Sequence, residues 1–220
     1  MKNNKFTKNR HTYAYDAISN IYDKTRFSTL RGRLFSIFRG RILKKTLKSF
    51  PREGMALDLA CGTGLISEWL LKNGYSVVGG DLSLGMLKIA YQKSAKSKYL
   101  IGLSELNACH LPFKDKSFDI VTSFRFLNLM SPETRRIIHS EVARVGKSIY
   151  LFTYALDSPY QRWRGRVKVK LGFSGGCDNY AAHLDQIKEE LNDAHIDYIR
   201  DFKVCNLLTS EIAILASIKE

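Results

Sequence analysis

Residues 55–64 read MALDLACGTG, and the prediction of the fold starts from this stretch. Its first half is an apolar run with the length of a buried strand, and a helical pattern of apolar residues starts at Leu65. Between the two lies a glycine turn, in which Gly62 follows the acid Asp58 by four residues and precedes Gly64 by two. Glycines let a backbone approach a ligand closely, and the N-terminus of the following helix offers unpaired N–H groups. The stretch therefore predicts a strand, a ligand-binding turn and a helix.

The rest of the chain continues this alternation of short apolar runs and longer helical patterns. We predict helices at 65–72, 84–94, 132–145 and 181–194, and strands at 55–60, 76–80, 99–103, 118–124, 148–154, 196–204 and 209–218. Such alternation is typical of βαβ units and a parallel sheet. The last two strands would form a terminal antiparallel hairpin. We therefore predict an α/β fold with a doubly wound, seven-stranded sheet and helices on both faces.

Length and composition are those of one globular domain. The 220 residues are 45% apolar and 25% charged, which is close to the average for folded domains and argues against a disordered chain. No apolar run approaches the roughly 20 residues of a spanning helix, so we expect a cytoplasmic protein. The cysteines form no CxxC pair, and we expect reduced thiols and no metal site. These cysteines are Cys61, Cys109, Cys177 and Cys205.

The net charge of +14 is concentrated at the N-terminus. Residues 1–52 hold 14 of the 35 basic and two of the 21 acidic side chains, a balance of +12. We therefore divide the chain into a basic helical segment at 1–52, which would act as a lid and covering helix, and a ligand-binding domain at 53–220. Within the second part, the basic and glycine-containing residues near 158–180 interrupt the pattern and are predicted to form a substrate-side insertion.

The basic segment contains one clear helical pattern. Leu34, Phe38 and Ile42 follow each other at a spacing of four residues, with Phe35 and Leu43 beside them. We predict an amphipathic helix that covers the sheet with this apolar stripe and keeps its long basic side chains in water. Two alternatives remain open, because its basic edge could also meet anionic lipid headgroups or RNA phosphates. The basic residues are Arg31, Arg33, Arg39, Arg41, Lys44, Lys45 and Lys48.

A second acid strengthens the prediction of a ligand at the glycine turn. Asp81 stands 19 residues after Gly62, at the end of the second predicted strand, where a carboxylate can accept both hydroxyls of a ribose. Asp58 can attract a cationic amino group while the turn accepts a carboxylate. Together these features indicate an adenosyl cofactor with a methionyl tail.

Three simpler or competing interpretations exist for the same residues. A lone GxG is usually only a tight turn, and Asp81 or Ser83 could merely cap the following helix. A nicotinamide-dependent enzyme also uses a glycine turn and an acid after the next strand. Its fingerprint requires a third glycine, however, and position 67 is serine.

Several stretches resemble the successive motifs of the class I S-adenosylmethionine (SAM)-dependent methyltransferases, especially the branch that includes the quinone-biosynthesis enzymes. These stretches are YDAISNIYD at 15–23, LDLACGTG at 57–64, VVGGDLS at 77–83, NACHLPFKDKSFDIV at 107–121 and SFRFLN at 123–128. The similarity covers about residues 13–154. It implies a Rossmann-like fold, a methyltransferase activity, SAM as cofactor and S-adenosylhomocysteine as its product.

The resemblance also implies which residues bind the cofactor. Asp58 and the two glycines would hold the methionyl part, and Asp81 the ribose, while Leu82 and Met86 would flank the adenine. Asn107 replaces the family's aspartate before LPF, and its amide oxygen can still accept a hydrogen bond from the adenine amino group. The full predicted set is Tyr22, Asp58, Ala60, Gly62, Thr63, Gly64, Asp81, Leu82, Met86, Asn107, Ala108 and Ser123.

Candidates for the methyl-acceptor side follow from topology, because ligands bind beyond the carboxyl ends of parallel strands. Arg125 and Asn128 come just after the fourth strand, and Tyr154 and Asp157 come after the fifth. The quinone branch has an arginine where this chain has Leu127.

Two histidines are candidates for a general base. His110 lies on the loop before LPF, whereas His139 lies within a predicted helix and is expected at its surface. A sulfonium methyl is already activated, so methyl transfer does not require a base unless the acceptor must first lose a proton.

The expected function is SAM-dependent methyl transfer to a small or lipid-like metabolite, with peripheral membrane contact left open. One alternative is an RNA methyltransferase that uses the N-terminal segment and the basic run at 162–170, with Tyr160 or Trp163 stacking on a base. A catalytically silent SAM-binding protein is the other alternative.

Overall fold

The computed structural model describes Ser19 and residues 21–24, 28–48, 53–157, 181–204 and 211–219. Within the second helical stretch, the side chains of Arg31, Phe35 and Ser36 are outside this description. The predicted insertion, including the basic run at 162–170, Tyr160 and Trp163, also lies outside the described residues, as do Cys177 and Cys205.

The elements follow the predicted alternation; the helices predicted at 65–72, 84–94 and 132–145 have their predicted ends, and the ends of the strands and of the last helix differ by a few residues. The helices are α1 (Leu30–Leu47), α2 (Leu65–Lys72), α3 (Leu84–Ser94), α4 (Pro132–Val145) and α5 (Leu184–Asp193), with a 3₁₀ turn at Leu127–Leu129. The strands are β1 (Met55–Leu59), β2 (Ser76–Asp81), β3 (Leu100–Glu105), β4 (Phe118–Ser123), β5 (Gly146–Ala155), β6 (Ile196–Lys203) and β7 (Glu211–Ile218). Residues 21–24 are helical as well.

The seven strands form one sheet in the order β3-β2-β1-β4-β5-β7-β6. The pairs from β3 through β5 are parallel, and β7 pairs antiparallel with both β5 and β6. This arrangement confirms the predicted fold, including the terminal antiparallel hairpin. The order reverses between β1 and β4, and ligands of doubly wound sheets bind beyond the carboxyl ends of the strands at such a switch point.

Three helices begin at the side-chain caps that hydroxyl residues provide. Ser83 accepts a hydrogen bond from the Met86 N–H at the start of α3, and Thr29 accepts one from the Gly32 N–H at the start of α1. Ser131 does the same for α4, whose first residue is a proline. Each hydroxyl satisfies one backbone donor that has no partner inside the helix. The caps of α3 and α4 explain why the predicted starts of these two helices agree with the structure.

The two faces of the sheet bury separate apolar clusters. One face packs against α4 and α5, with Ile138, Val142 and Leu191 fully buried between the helices and the sheet. The other face packs against α1 and α2, which contribute Leu43 and Leu70. Helices on both faces therefore enclose the parallel strands, as expected for this architecture.

The buried face of α1 differs from the predicted one. Leu34 is 36% exposed, whereas Leu43 and Arg39 are buried. The guanidinium of Arg39 donates three hydrogen bonds of 2.7 to 3.0 Å to the Glu211 carboxylate. A Cβ added to Gly40 would lie 2.4 Å from the Trp69 ring, so glycine permits the close contact between α1 and α2.

The expectation that Arg39 is one of the solvated basic residues is therefore wrong. Arg39 faces inward because it pairs with Glu211, which lies 172 residues away in the sequence. The spacing of apolar residues along the helix does not reveal such a distant partner. Among the described residues, no helix is both long and apolar enough to cross a membrane.

Candidate functional site

The glycine turn after β1 has one closed side and one open side. Gly62 and Gly64 have φ values of 55° and 79°, in the left-handed region that favours glycine. A Cβ at Gly64 would come within 3.0 Å of Ala90 in α3, whereas a Cβ at Gly62 would meet nothing within 4 Å. Gly64 is therefore required for helix packing, and the backbone at Gly62 is accessible to a ligand.

Asp81 links this turn to the end of β2. Its Oδ2 atom accepts a 2.8 Å hydrogen bond from the Gly62 N–H, and its Oδ1 atom accepts one of 2.9 Å from the Ser83 N–H. The N-cap of α3 is Ser83 and not Asp81, so the simple capping interpretation does not account for this acid. The carboxylate lies beside the accessible backbone of Gly62, at the carboxyl ends of the neighbouring strands β1 and β2.

Asp58 lies beneath the turn and is only 1% exposed. Its two carboxylate oxygens accept hydrogen bonds from the hydroxyls of Ser67 at 2.6 Å and Thr122 at 3.0 Å. Desolvation by burial raises the pKa of this carboxyl to about 6, although both hydroxyls lower it. Ser67 occupies the position where a dinucleotide fingerprint has its third glycine, and its hydroxyl holds Asp58 instead.

The N-terminal segment contacts the turn through Asp23. The hydroxyl of Thr63 donates a 2.8 Å hydrogen bond to Asp23 Oδ1, and the ammonium group of Lys93 pairs with Asp23 Oδ2. Lys93 also donates to the Thr63 carbonyl oxygen at 2.9 Å. These contacts bring Tyr22, a predicted cofactor residue, to the neighbourhood of the turn.

Sequence reasoning missed Asp23 and Lys93. Asp23 ends the YDAISNIYD stretch that resembles the family motif, so a signal for it existed. Lys93 is one of two lysines on α3, and nothing in its spacing distinguishes it from Lys88.

The predicted adenine-side residues follow β2 and β3. Leu82 is 39% exposed directly after Asp81, and Met86 is buried one helical turn later. The Asn107 amide oxygen accepts a hydrogen bond of 3.0 Å from the Cys109 N–H, which leaves a second lone pair on that oxygen. Ala108 beside it is buried. This side of the site combines apolar surface with one amide acceptor.

The predicted acceptor-side residues after β4 are held in an unusual backbone conformation. Arg125 has a φ of 60°, which costs a non-glycine residue free energy, and its N–H donates a 2.7 Å hydrogen bond to the Thr153 hydroxyl. Its side chain is exposed. Asn128 is half-buried in the 3₁₀ turn, and Leu127 beside it is fully buried in the core. Ser123, the last residue of β4, is also buried.

After β5, the structure separates the two predicted residues. Asp157 is half-buried at the end of the described stretch, whereas Tyr154 is only 1% exposed. The Tyr154 hydroxyl donates a 3.1 Å hydrogen bond to Glu190 in α5. Glu190 also accepts two hydrogen bonds, of 2.6 and 2.9 Å, from Arg135 in α4. Burial raises the pKa of the Tyr154 phenol well above its usual value.

The two histidines lie in opposite environments. His110 is exposed on the loop after β3. His139 is fully buried between α4 and β5, where its ring lies against those of Tyr150 and Phe152. Desolvation lowers its pKa to about 4. The expectation that His139 lies at the helix surface is wrong, because that side of α4 faces the aromatic side chains of β5.

The described residues contain no group of three or more histidines, cysteines, aspartates or glutamates that could hold a metal ion. Cys61 and Cys109 are free thiols. Cys61 is buried next to the turn, and burial raises its thiol pKa well above the usual value.

Comparison of the sequence with known proteins identifies relatives of this arrangement. Residues 57–149 match the family model described as a methyltransferase domain. The demethylmenaquinone methyltransferase of Thermobifida fusca (strain YX) is 30% identical over 181 residues, which cover 76% of this chain and 74% of that protein. The demethylmenaquinone methyltransferase of Renibacterium salmoninarum is 42% identical over 108 residues, 48% of this chain and 44% of that protein. The chain thus spans less than half the length of some curated relatives.

Solved structures show the same fold at low sequence identity. The magnesium protoporphyrin IX methyltransferase of Synechocystis PCC 6803, solved with bound SAM, has a TM-score of 0.72 and 15% identity over 99% of this chain and all of that one. An S-adenosylmethionine-dependent methyltransferase from Clostridium acetobutylicum has a TM-score of 0.68 and 17% identity, covering 94% of this chain and 100% of that one. These likenesses support the architecture.

Proposed function

The chain belongs to the class I SAM-dependent methyltransferases and uses SAM as its cofactor, and from this premise we propose that it methylates a small, lipid-like metabolite. The observation that carries the proposal is the extended similarity to a demethylmenaquinone methyltransferase over three quarters of the chain. The apolar and amide surface around the glycine turn and the acceptor-side residues after β4 are compatible with it. We propose a cytoplasmic enzyme with peripheral access to a membrane.

The residues at the turn fit an adenosyl cofactor. The backbone of Gly62 is accessible, and Asp81 lies beside it with a carboxylate that can accept ribose hydroxyls. The oxygens of Asp58 accept hydrogen bonds from Ser67 and Thr122. In its ionised form, this carboxylate would attract the ammonium group of the cofactor electrostatically from beneath the turn. SAM supplies a methyl group that is already activated as a sulfonium. The protein's contribution is to align the acceptor with that methyl and to exclude water.

We assign the acceptor side to the edge of the sheet beyond β4 and β5. Arg125 presents an exposed guanidinium there, and its strained backbone is held by Thr153. A guanidinium can donate hydrogen bonds to the oxygen of a phenol, enol or carbonyl group. Asn128 and Asp157 lie after the same two strands and are the other polar candidates. Tyr154 contributes through the buried network with Glu190 and Arg135, and not through a contact with the acceptor.

Proton transfer is assigned differently for the two histidines. His139 is fully buried against the rings of Tyr150 and Phe152, and burial lowers its pKa to about 4. It therefore does not act as the base. His110 is exposed and remains the histidine candidate for an acceptor that must lose a proton.

Two other functions are less well supported. An RNA methyltransferase would depend on the basic run at 162–170, which lies outside the described residues, and the curated relatives reported above are named for the methylation of a small molecule, demethylmenaquinone. A catalytically silent SAM-binding protein would bind SAM without transferring its methyl group, and no described residue specifically favours it.

A label-transfer experiment tests the proposal. The full chain is incubated with methyl-labelled SAM and fractionated cell extract, with Asp81→Ala as the variant expected to lose transfer. Asp197→Ala, a change of an exposed aspartate on β6, is the matched control. We expect label in organic-solvent-extractable metabolites. Label in RNA, or no label in any fraction while SAM binds, would contradict the proposal.

A further inference from the structure

Helix α1 carries an unusual outward face. Leu30, Leu34 and Ile37 lie within about 60° of one another around the helix axis, because successive residues are about 100° apart. All three are exposed, at 75%, 36% and 51% of their surfaces. Single exposed leucines are common on protein surfaces. Three exposed apolar residues on one side of the same helix form an apolar strip, which the described part of the fold leaves partly open to solvent.

Basic side chains continue this strip towards the C-terminal end of α1. Arg41, Lys44 and Lys48 lie on the same side of the helix and are exposed, with Lys45 at its border. From Lys24 to Arg52 the chain contains no aspartate or glutamate. We call the strip and these four cations together the α1 outer face. A face that combines exposed apolar side chains with cations suits an anionic bilayer, because the apolar side chains can enter the headgroup region while the cations meet the lipid phosphates.

The opposite side of α1 is anchored to the rest of the fold. Leu43 and Leu47 are buried in the core, and Gly40 lies against Trp69. Arg39 makes its bidentate pair with Glu211. These contacts determine which side of the helix faces inward. The outer face is therefore displayed in a defined orientation and does not belong to the core.

The direction of α1 places the apolar strip at the edge of the sheet that holds the site. Glu211, the partner of Arg39, lies opposite Ala155, the last residue of β5, and hence at the carboxyl edge. Leu47 lines a small cavity with Tyr75, directly before β2 begins at the amino edge. The helix therefore runs from the carboxyl edge to the amino edge. Leu30 precedes Arg39 by nine residues, or about 14 Å along the axis towards the side of Arg125.

We propose that the α1 outer face docks the protein on an anionic lipid bilayer. Leu30, Leu34 and Ile37 enter the headgroup region, and the cations pair with lipid phosphates. Because the apolar strip lies at the carboxyl edge, this docking places that edge and its acceptor-side residues near the bilayer surface. The docking is independent of the methyl-transfer chemistry, and only its purpose, the delivery of a lipid-like acceptor, rests on the proposed function.

Vesicle co-sedimentation of the full chain tests the docking. Vesicles of phosphatidylcholine with about a third phosphatidylglycerol are compared with pure phosphatidylcholine, over a range of salt concentrations. The apolar arm uses Ile37→Glu and Leu30→Glu. Its matched control is Ile137→Glu, which changes an exposed isoleucine of α4 on the opposite face of the sheet. The charge arm compares Lys44→Gln/Lys45→Gln with Lys88→Gln/Lys96→Gln, two exposed lysines in and after α3.

We expect binding to anionic vesicles that weakens with salt and is much weaker for neutral vesicles. Each apolar variant should bind on the order of tenfold more weakly, and each lost cation should reduce binding about fivefold. The two control variants should bind like the wild type. Circular dichroism identifies a variant that fails to fold. If one of the two apolar variants is unfolded, the other still tests the role of the strip.

Three outcomes would overturn the proposal: absence of binding to anionic vesicles, equal binding by Ile37→Glu and the wild type, and salt-sensitive binding to RNA but not to vesicles. The last would assign the cations to nucleic acid. None of these measurements involves methyl transfer, so failure of the docking and failure of the proposed function are separately visible.

Discussion

Thr63 and Asp23, 40 residues apart, are joined by a hydrogen bond of 2.8 Å from the threonine hydroxyl to the aspartate carboxylate. This bond connects the N-terminal segment to the turn that holds the cofactor. The ammonium group of Lys93 bonds both to Asp23 and to the carbonyl oxygen of Thr63, so the three residues form one closed unit. Residues 21–24 are thereby fixed over one side of the turn.

Removal of this unit should weaken cofactor binding. In Asp23→Ala, the Thr63 hydroxyl and the Lys93 ammonium lose a charged partner, and the N-terminal segment loses its contact with the turn. We expect SAM affinity to fall about tenfold, mainly through faster dissociation, since one charge-assisted bond contributes on the order of 1.5 to 3 kcal/mol. Stopped-flow and calorimetric measurements check this, with Asp197→Ala as control. An unchanged rate of SAM dissociation in Asp23→Ala would show that Asp23 does not contribute to cofactor binding.

Asp81 should be more important for the cofactor than Asp23. Its carboxylate holds the Gly62 and Ser83 N–H groups and is positioned to accept ribose hydroxyls. We expect Asp81→Ala to reduce SAM affinity at least about 100-fold, which corresponds to roughly 2.7 kcal/mol. Titration calorimetry measures the affinity, and thermal unfolding without ligand shows whether the variant is folded. A folded variant with wild-type affinity would refute the ribose assignment.

The buried carboxyl of Asp58 makes stability depend on pH. Its pKa is raised from 3.8 to about 6 by burial, so the folded state binds a proton more tightly than the unfolded state. The stability that this group contributes is fully present below pH 3.8 and is lost as pH rises through 6, by about 3 kcal/mol. Relative to the wild type, Asp58→Asn should therefore gain stability between pH 4 and 7. Urea unfolding across this range measures the difference, and a constant difference would show that Asp58 is not shifted.

His139 should act in the opposite direction over nearly the same range. Burial lowers its pKa from 6.5 to about 4. Of the charged groups nearby, Glu190 favours the protonated form of the ring and Arg135 disfavours it. The adjacent rings of Tyr150 and Phe152 carry no charge. As pH falls from 6.5 to 4, the unfolded state gains a proton that the folded state does not bind, at a cost of about 3 kcal/mol.

His139→Phe removes this acid-dependent loss. We expect its stability to rise relative to the wild type as pH falls from 7 to 4, whatever its stability at neutral pH. The same urea experiment measures the slope. Parallel curves for variant and wild type would mean that the histidine is accessible to protons in the folded state.

Arg125 allows backbone and side-chain effects to be separated. Its φ of 60° suits glycine, so Arg125→Gly should leave the free energy of unfolding unchanged or raise it by up to about 1 kcal/mol. We expect methyl transfer to fall at least about tenfold, with SAM affinity preserved, because the guanidinium is lost. Lys116→Gly is the control, since Lys116 has a φ of 52° in an exposed loop. Full transfer by Arg125→Gly would exclude the side chain from the acceptor site.

Local patterns were sufficient for the architecture and for part of the candidate site. The helices at 65–72, 84–94 and 132–145 were predicted with their observed ends, because apolar spacing and hydroxyl caps act over one or two turns. The glycine turn and Asp81, 19 residues after Gly62, were also predicted from the sequence, because the length of a βαβ unit varies little. The SAM cofactor and the fold are confirmed. The individual cofactor residues stay predictions supported by their placement.

The order of the elements, the glycine turn and the class of cofactor can be predicted from local patterns, because each depends on residues close together in the chain. The buried side of α1, the enclosure of His139 and the contact between Asp23 and Thr63 follow only from the packing of distant residues. The tertiary structure also revealed the Arg39–Glu211 and Arg135–Glu190 pairs, whose members are separated by 172 and 55 residues. Burial and ion pairing depend on distance in space, and periodicity along a chain does not report which distant residue will fill the space opposite a given side chain.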